Sequence, residues 1–437
     1  MTARFDIAVL GGGPAGLAAA SLAARAGAQT VLLDEGVDDR DAWRAGLAGS
    51  GAVAMWRTIV WGLGGGPLVA PGGSAEAFRL DLLTAGAVST LRARALIVCA
   101  GAQERVIPFP GWTLPGVIGL TEAAMLLQRE GALPGRQFVI AGSGPLLATV
   151  AAAVIARGAS VAAIVAAKPN VPSGGAAAMA QIVGAGVPVL DGHRIARVLG
   201  GDDGIAAVEV VGLDGGAPRR IGCDLLCVGH GLVPATEITR LFRAAHRFEP
   251  ARGGWVPVID AWQRSSVERL YVAGDSAGIA GADAATQSGR LAAQAALRDL
   301  GRMPPEHEAA AAPERRVCCH PDPAMADALP ALLAAIPADC VVCRCEGVTR
   351  AQIEAAADAG ARDLNQMKQF TRCGMGTCQG RICGEAAAEL LAGRVGDGDR
   401  TRVGCFTSRL PLRPLPLRDV LGDFDYADIP IPAPAPI

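Results

Sequence analysis

The sequence predicts an α/β chain with two nested, doubly wound domains, followed by a small helical unit rich in cysteine. Three observations lead there. Strand–glycine turn–helix starts stand at residues 5–34 and again from Gln137. A strand-like run far downstream, Leu270–Asp275, is placed to return to the first sheet. Six cysteines crowd between Cys340 and Cys383.

With 437 residues the chain is too long for one ordinary core. Hydrophobic residues make up 51% and charged residues 19%, which excludes a disordered chain. Aromatics are only 4%, so Ala, Val and Leu must fill the cores. A formal net charge of −2 gives no electrostatic footprint for nucleic acid or a membrane surface. The chain enters a strand at Phe5 without a signal-peptide pattern, and its apolar stretch Pro145–Ala156 is shorter than a membrane helix. The expected location is the cytoplasm, free or peripheral to the inner membrane.

The first element is the strand Phe5–Leu10. It runs into Gly11-Gly12-Gly13-Pro14-Ala15-Gly16, a G-x-G-x-x-G turn that opens a helix. In such a turn Gly11 makes the bend, Gly13 lets backbone approach a pyrophosphate, and Gly16 lets helix and strand pack closely. The helix start supplies N–H groups and positive dipole to phosphates. The next strand ends at Asp34 and Glu35, one of which is expected on ribose hydroxyls, with Asp34 nearer the usual place. A strand over Ala95–Cys99 is followed by Ala100-Gly101. Downstream, Gly274-Asp275 would set a carboxylate beside a ribityl chain, with the helix Ala284–Leu300 closing the fold. These residues predict a dinucleotide-binding (Rossmann-like) site for FAD or another adenine nucleotide.

The second turn, Gly142-Ser143-Gly144-Pro145-Leu146-Leu147, lacks the third glycine, and no acid ends its following strand. Gly142 and Gly144 remain candidate nucleotide contacts, but NAD binding is not expected. No C-x-x-C lies near either turn, which argues against a disulfide reductase. Cys223 and Cys227 read as buried structural thiols, and His230 as a turn histidine. No catalytic residue is identifiable.

The expected organisation is a first nucleotide domain split over 1–115 and 251–305. An NAD-like domain is inserted at 116–250. A Pro- and Ala-rich linker spans 306–337, the cysteine unit 338–393, and an extended, proline-punctuated tail 394–437. In the cysteine unit, helices are expected over Thr349–Ala359 and Glu385–Leu391. Its six thiols compete for four places, and four thiolates hold a 2Fe–2S core. Cys343, Cys345, Cys378 and Cys383 are the chosen ligands, with Cys373 and Cys340 as substitutes. A structural zinc site on the same thiolates is the rival reading.

Taken together, Gly11–Gly16, Phe109–Val117, Gly142–Leu147, Gly231–Pro234, Ala273–Asp275 and Thr371–Gly384 resemble a known family. It is the alpha (FAD/NAD-type) subunit of multi-subunit amino-acid dehydrogenases. Its members come from opine oxidases, D-hydroxyproline dehydrogenase, dye-linked L-proline dehydrogenase and hydrogen cyanide synthase. The cysteine unit resembles bacterioferritin-associated ferredoxin, and the family's C-x4-C pair favours Cys378 and Cys383 over Cys373. The resemblance implies an electron-transfer subunit working with an FAD-containing beta subunit that oxidises a small amino acid or opine. It leaves room for an FMN at the alpha–beta interface and for a small third subunit, and it implies a separate electron acceptor. Two other readings compete: a stand-alone NAD(P)H-dependent flavoprotein reductase, and a redox- or iron-sensing module. One departure stands out. Asp38-Asp39-Arg40-Asp41 follows the first acid where the family carries a Pro-Gly-Gly-Gln stretch and a longer insertion.

Overall fold

A computed structural model describes residues 2–36, 45–65, 77–127, 131–144, 146–167, 176–302, 323–396 and 398–421. The Asp38–Asp41 departure, Pro145 and the closing proline run lie outside them. The first sheet begins with Ala3–Leu10, five of whose eight residues are buried. It pairs in parallel with Thr30–Leu33 on one side and with Ala87–Val98 on the other. The long strand Ala87–Val98 also carries an antiparallel meander, through Phe78–Thr84 to Thr58–Gly65. Leu270–Val272 then returns and pairs in parallel with that same strand. The helices Pro14–Arg25 and Ala282–Asp299 cover one face. They approach closely because Gly289 carries no side chain: a Cβ there would sit 2.0 Å from the Ala15 carbonyl oxygen.

Between the two visits to this sheet the chain builds a second one. Its order is Val189–Asp191, Ser160–Ala166, Gln137–Ser143, Leu225–His230, Val117–Gly119, parallel throughout. Strands buried on both faces read as continuous apolar runs, which is how Phe138–Ala141 and Ser160–Val165 stand in the sequence. The nested topology is therefore as predicted. His230 is the last residue of a strand and buried, not a turn residue.

Two expectations need correction. Part of the 306–337 stretch, read as a linker, is the helix Pro323–Ala334. Its Ala328 and Leu332, with Ile336 just beyond, are buried in one core that joins the second sheet to the cysteine unit. An internal proline costs a helix about 3 kcal/mol, but Pro330 is tolerated because that apolar face is buried. The tail from 394, read as extended, has short helices at Arg400–Val403 and Leu417–Leu421. Between them Leu412 is buried in the first domain's core, and its N–H donates to the Trp61 carbonyl.

Candidate functional site

The first site forms where the parallel strands end. Gly11 has φ +103°, and a Cβ on it would stand 2.1 Å from the Cys99 carbonyl oxygen. A Cβ on Gly16 would stand 1.8 Å from the Gly11 carbonyl oxygen. Gly13 faces open space, so its backbone is free to meet a ligand. Pro14 opens the helix and Ala15 is buried beneath it. Asp34 faces the same turn: its carboxylate accepts from Gly12 N–H at 2.6 Å and from Gly36 N–H at 2.7 Å. Glu35 instead points outward and pairs with Arg413 of the tail at 3.4 Å. Gly274 lies against Ala15, and its N–H donates to Ser288 Oγ at 2.9 Å. Burial raises the neighbouring Asp275 above the ordinary carboxylate range, against the opposing N–H groups of Ala280 and Gly281. Ala100-Gly101 continues from the central strand, and the Gly101 carbonyl accepts from Ala235 N–H. Open backbone at a helix start, with a carboxylate fixed beside it, fits an adenosine diphosphate group.

The second turn is closed in. Gly142 has φ +136°, and a Cβ there would lie 1.7 Å from the Gly229 carbonyl oxygen. Gly144 also has a positive φ. Cys223 and Cys227 are buried, with their thiols pushed up by burial, as the sequence led us to expect.

The cysteine unit brings its two cysteine groups together. Thr349 caps the helix Arg350–Asp358 in a capping box with Gln352, and Asp363 caps Leu364–Thr371. These two helices and Gly384–Val395 close around Val342, Ile353 and Met367. The thiols of Cys343, Cys373 and Cys383 lie within 4.8 Å of one another. Among the described residues the Cys373 thiol donates to Cys383 Sγ at 3.8 Å. Hydrogen bonds from Cys373 and Cys383 hold the Cys343 thiol well below its usual range, and Cys383 does the same for Cys378. Backbone N–H groups of Gly374 and Glu346 help to lower Cys343, and those of Ile382 and Gly380 help to lower Cys378. Cys340 stands aside: its thiol faces the Val341 carbonyl, and burial pushes it up to about 11. A donor set made wholly of cysteine sulfur fits an iron–sulfur cluster. Gly374 and Gly380 are required there, since a Cβ on either would meet the Phe406 ring within 2.7 Å.

Polar contacts fix this unit against both nucleotide domains. Trp112 Nε1 donates to the Val341 carbonyl at 2.7 Å. Arg105 pairs with Glu385 at 3.2 Å, and Arg400 pairs with the same carboxylate at 3.3 Å. Burial alone would raise Glu385, but Arg400 and Arg105 outweigh it and hold the carboxyl low. Arg381 pairs with Glu237 at 2.9 Å, and Gln103 donates to Glu237 at 2.6 Å. Between the unit and the first domain lies a cavity of about 290 Å³, lined among others by Arg240, Lys368, Arg381 and Phe406. Sequence reasoning missed Arg105, Glu237, Glu385 and this cavity. Glu237 follows the quoted Gly231–Pro234 segment by three residues, but nothing in the spacing pairs it with Arg381.

Comparison with known proteins matches residues 73–292 to the pyridine nucleotide-disulphide oxidoreductase family. Residues 341–393 match the BFD-like [2Fe-2S] binding domain, and residues 6–45 match glucose inhibited division protein A. The A subunit of opine oxidase from Rhizobium meliloti (strain 1021) is 34% identical, covering 95% of this chain and 98% of that protein. The HcnB subunit of hydrogen cyanide synthase from Pseudomonas aeruginosa is 31% identical, covering 93% and 96%. Among solved structures, L-proline dehydrogenase from P. horikoshii has the same fold. The TM-score is 0.70 at 19% identity, over 96% of this chain and 80% of that one. Thioredoxin reductase from T. acidophilum has a TM-score of 0.55 at 19% identity, over 68% of this chain and 99% of that one.

Proposed function

Because this chain belongs to the family of the opine oxidase A subunit, we propose that it is the electron-transfer subunit of a heteromeric dehydrogenase acting on a small amino acid or opine. Family membership makes it an oxidoreductase subunit with a nucleotide-binding domain of FAD/NAD type and a [2Fe-2S]-type domain. The substrate would be of D-hydroxyproline, opine, proline or glycine type, oxidised on an FAD-containing partner subunit. A small third subunit is compatible with this assembly.

One observation carries the reading. The cysteine unit is held directly against the nucleotide domains by the Arg105–Glu385 and Arg381–Glu237 pairs. A rigid seat of this kind suits short-range electron transfer between two bound carriers. Cys343, Cys345, Cys378 and Cys383 would hold the 2Fe–2S cluster, with Cys373 as a neighbouring thiol. When bound, the cluster supplies a one-electron carrier between a two-electron flavin donor and an acceptor. Gly11, Gly13, Gly16 and Asp34 would hold the ADP part of FAD or another adenine nucleotide, and Asp275 would face its ribityl or phosphate end. The cationic cavity beside the cluster unit supports a phosphate-bearing cofactor such as FMN, shared with the partner. No described helix is long and apolar enough to cross a membrane, which is compatible with cytoplasmic work beside a membrane acceptor.

The test is anaerobic reduction. With the partner subunit present, a cognate amino acid or opine should bleach the cluster's visible absorption, while NADH and NADPH should leave it unchanged. Bleaching of the isolated chain by NAD(P)H would favour a stand-alone reductase. A cluster that no substrate reduces, with or without partner, would favour a sensor.

A further inference from the structure

Nucleotides bind open α/β sheets in the crevice beyond the carboxyl ends of the parallel strands. In the second sheet that crevice lies beside Gly142, Ala167 and His230. Leu332 and Ala335, which come from the far side of the inserted domain in sequence, line the same crevice. Leu332 is only 6% exposed, and the void left between these residues is about 30 Å³. That is room for about one water, whereas ligand pockets run to roughly 300–1,000 Å³.

The same segment is tied down from the other side. Arg350, the first residue of the helix Arg350–Asp358, donates to the carbonyls of Leu333, Ala334 and Ile336 at 3.3, 3.2 and 2.5 Å. Leu333 and Ala334 are the last residues of the helix Pro323–Ala334 and Ile336 lies two residues beyond it, so the clasp falls where the helix's own hydrogen bonding runs out. Glu354 holds the guanidinium in place at 2.7 Å. Arg350 stands five residues beyond Cys345, so the clasp belongs to the cluster unit itself.

We propose that residues 328–336 are a built-in plug of the second dinucleotide crevice, clasped there by Arg350 of the cysteine unit. The inserted domain thereby serves as the seat of the cluster unit, and its crevice is closed to NAD(P)H while the plug is in. Plug and crevice open together or not at all.

Hydrogen exchange on the cluster-loaded, full-length chain tests this, with NADH or NADPH as the probe. Neither nucleotide should alter exchange at residues 139–144 or 163–167 in the wild type. Arg350→Gln loses hydrogen bonds from a charged donor, so exchange should rise about tenfold or more at 328–336 and at 139–144 together. The first-domain strand Thr30–Leu33 and the cluster's visible spectrum should not change. If Arg350→Gln does not fold, Leu332→Ala carries the same readout. Protection of 139–144 by NADH in the wild type would overturn the proposal. So would a variant whose plug exchanges faster while the strand ends stay as protected as before.

Discussion

Single residues decide whether the two candidate sites can form. In the cluster unit, Cys343→Ser, Cys345→Ser, Cys378→Ser and Cys383→Ser are each expected to abolish iron and sulfide retention. Cys340→Ser and Cys373→Ser should keep both, as measured by iron and acid-labile sulfide per chain. Loss of the cluster in Cys373→Ser alone would move that thiol, which lies within 4.8 Å of Cys343 and Cys383, into the ligand set in place of one of the four. In the first site, Gly16→Ala would force a Cβ against the Gly11 carbonyl. Overpacking of this kind costs about 1–3 kcal/mol, so thermal stability and adenine-nucleotide binding should fall together. The glycine motif, Asp34 and the thiol groups were legible in the sequence because each depends on local spacing. The salt-bridge partners were not, because Arg105 and Glu385 are 280 residues apart and meet only through the fold.

At the scale of elements, the buried links between units set the pH response. Glu385 binds its proton less readily folded than unfolded, so its contribution is full above about pH 4.3. That contribution is lost as pH falls through the lower folded value. Removing the carboxylate leaves Arg105 and Arg400 without their shared partner. Glu385→Ala should therefore destabilise the chain by about 3–5 kcal/mol, seen as a lowered denaturation midpoint. His230 gives a second window. Burial, then the charge of Arg105, lowers it to about 4. The unfolded chain thus binds the extra proton first, and stability declines as pH falls from about 6.5 towards that value. His230→Gln should flatten the melting-temperature profile across that range. The helix Pro323–Ala334 shows where element reading failed. Proline and alanine suggested a linker, but the deciding term is burial of Leu332 and Ile336 against a domain that the local sequence does not reveal.

For the whole molecule, the nested domains were readable from the order of their motifs, since a strand returning at Leu270 after a complete second unit permits few topologies. How the cysteine unit sits was not readable. It shares a core with the second sheet, yet its Glu385 pairs with Arg105 of the first domain, so it joins the two. Under the proposed function, a carrier held in that position would pass electrons from a substrate-oxidising partner to an acceptor. The most direct test of this account is iron and acid-labile sulfide per polypeptide in the anaerobically purified chain. About two of each are predicted; zinc bound without sulfide would contradict an electron-carrying role for the cysteine unit.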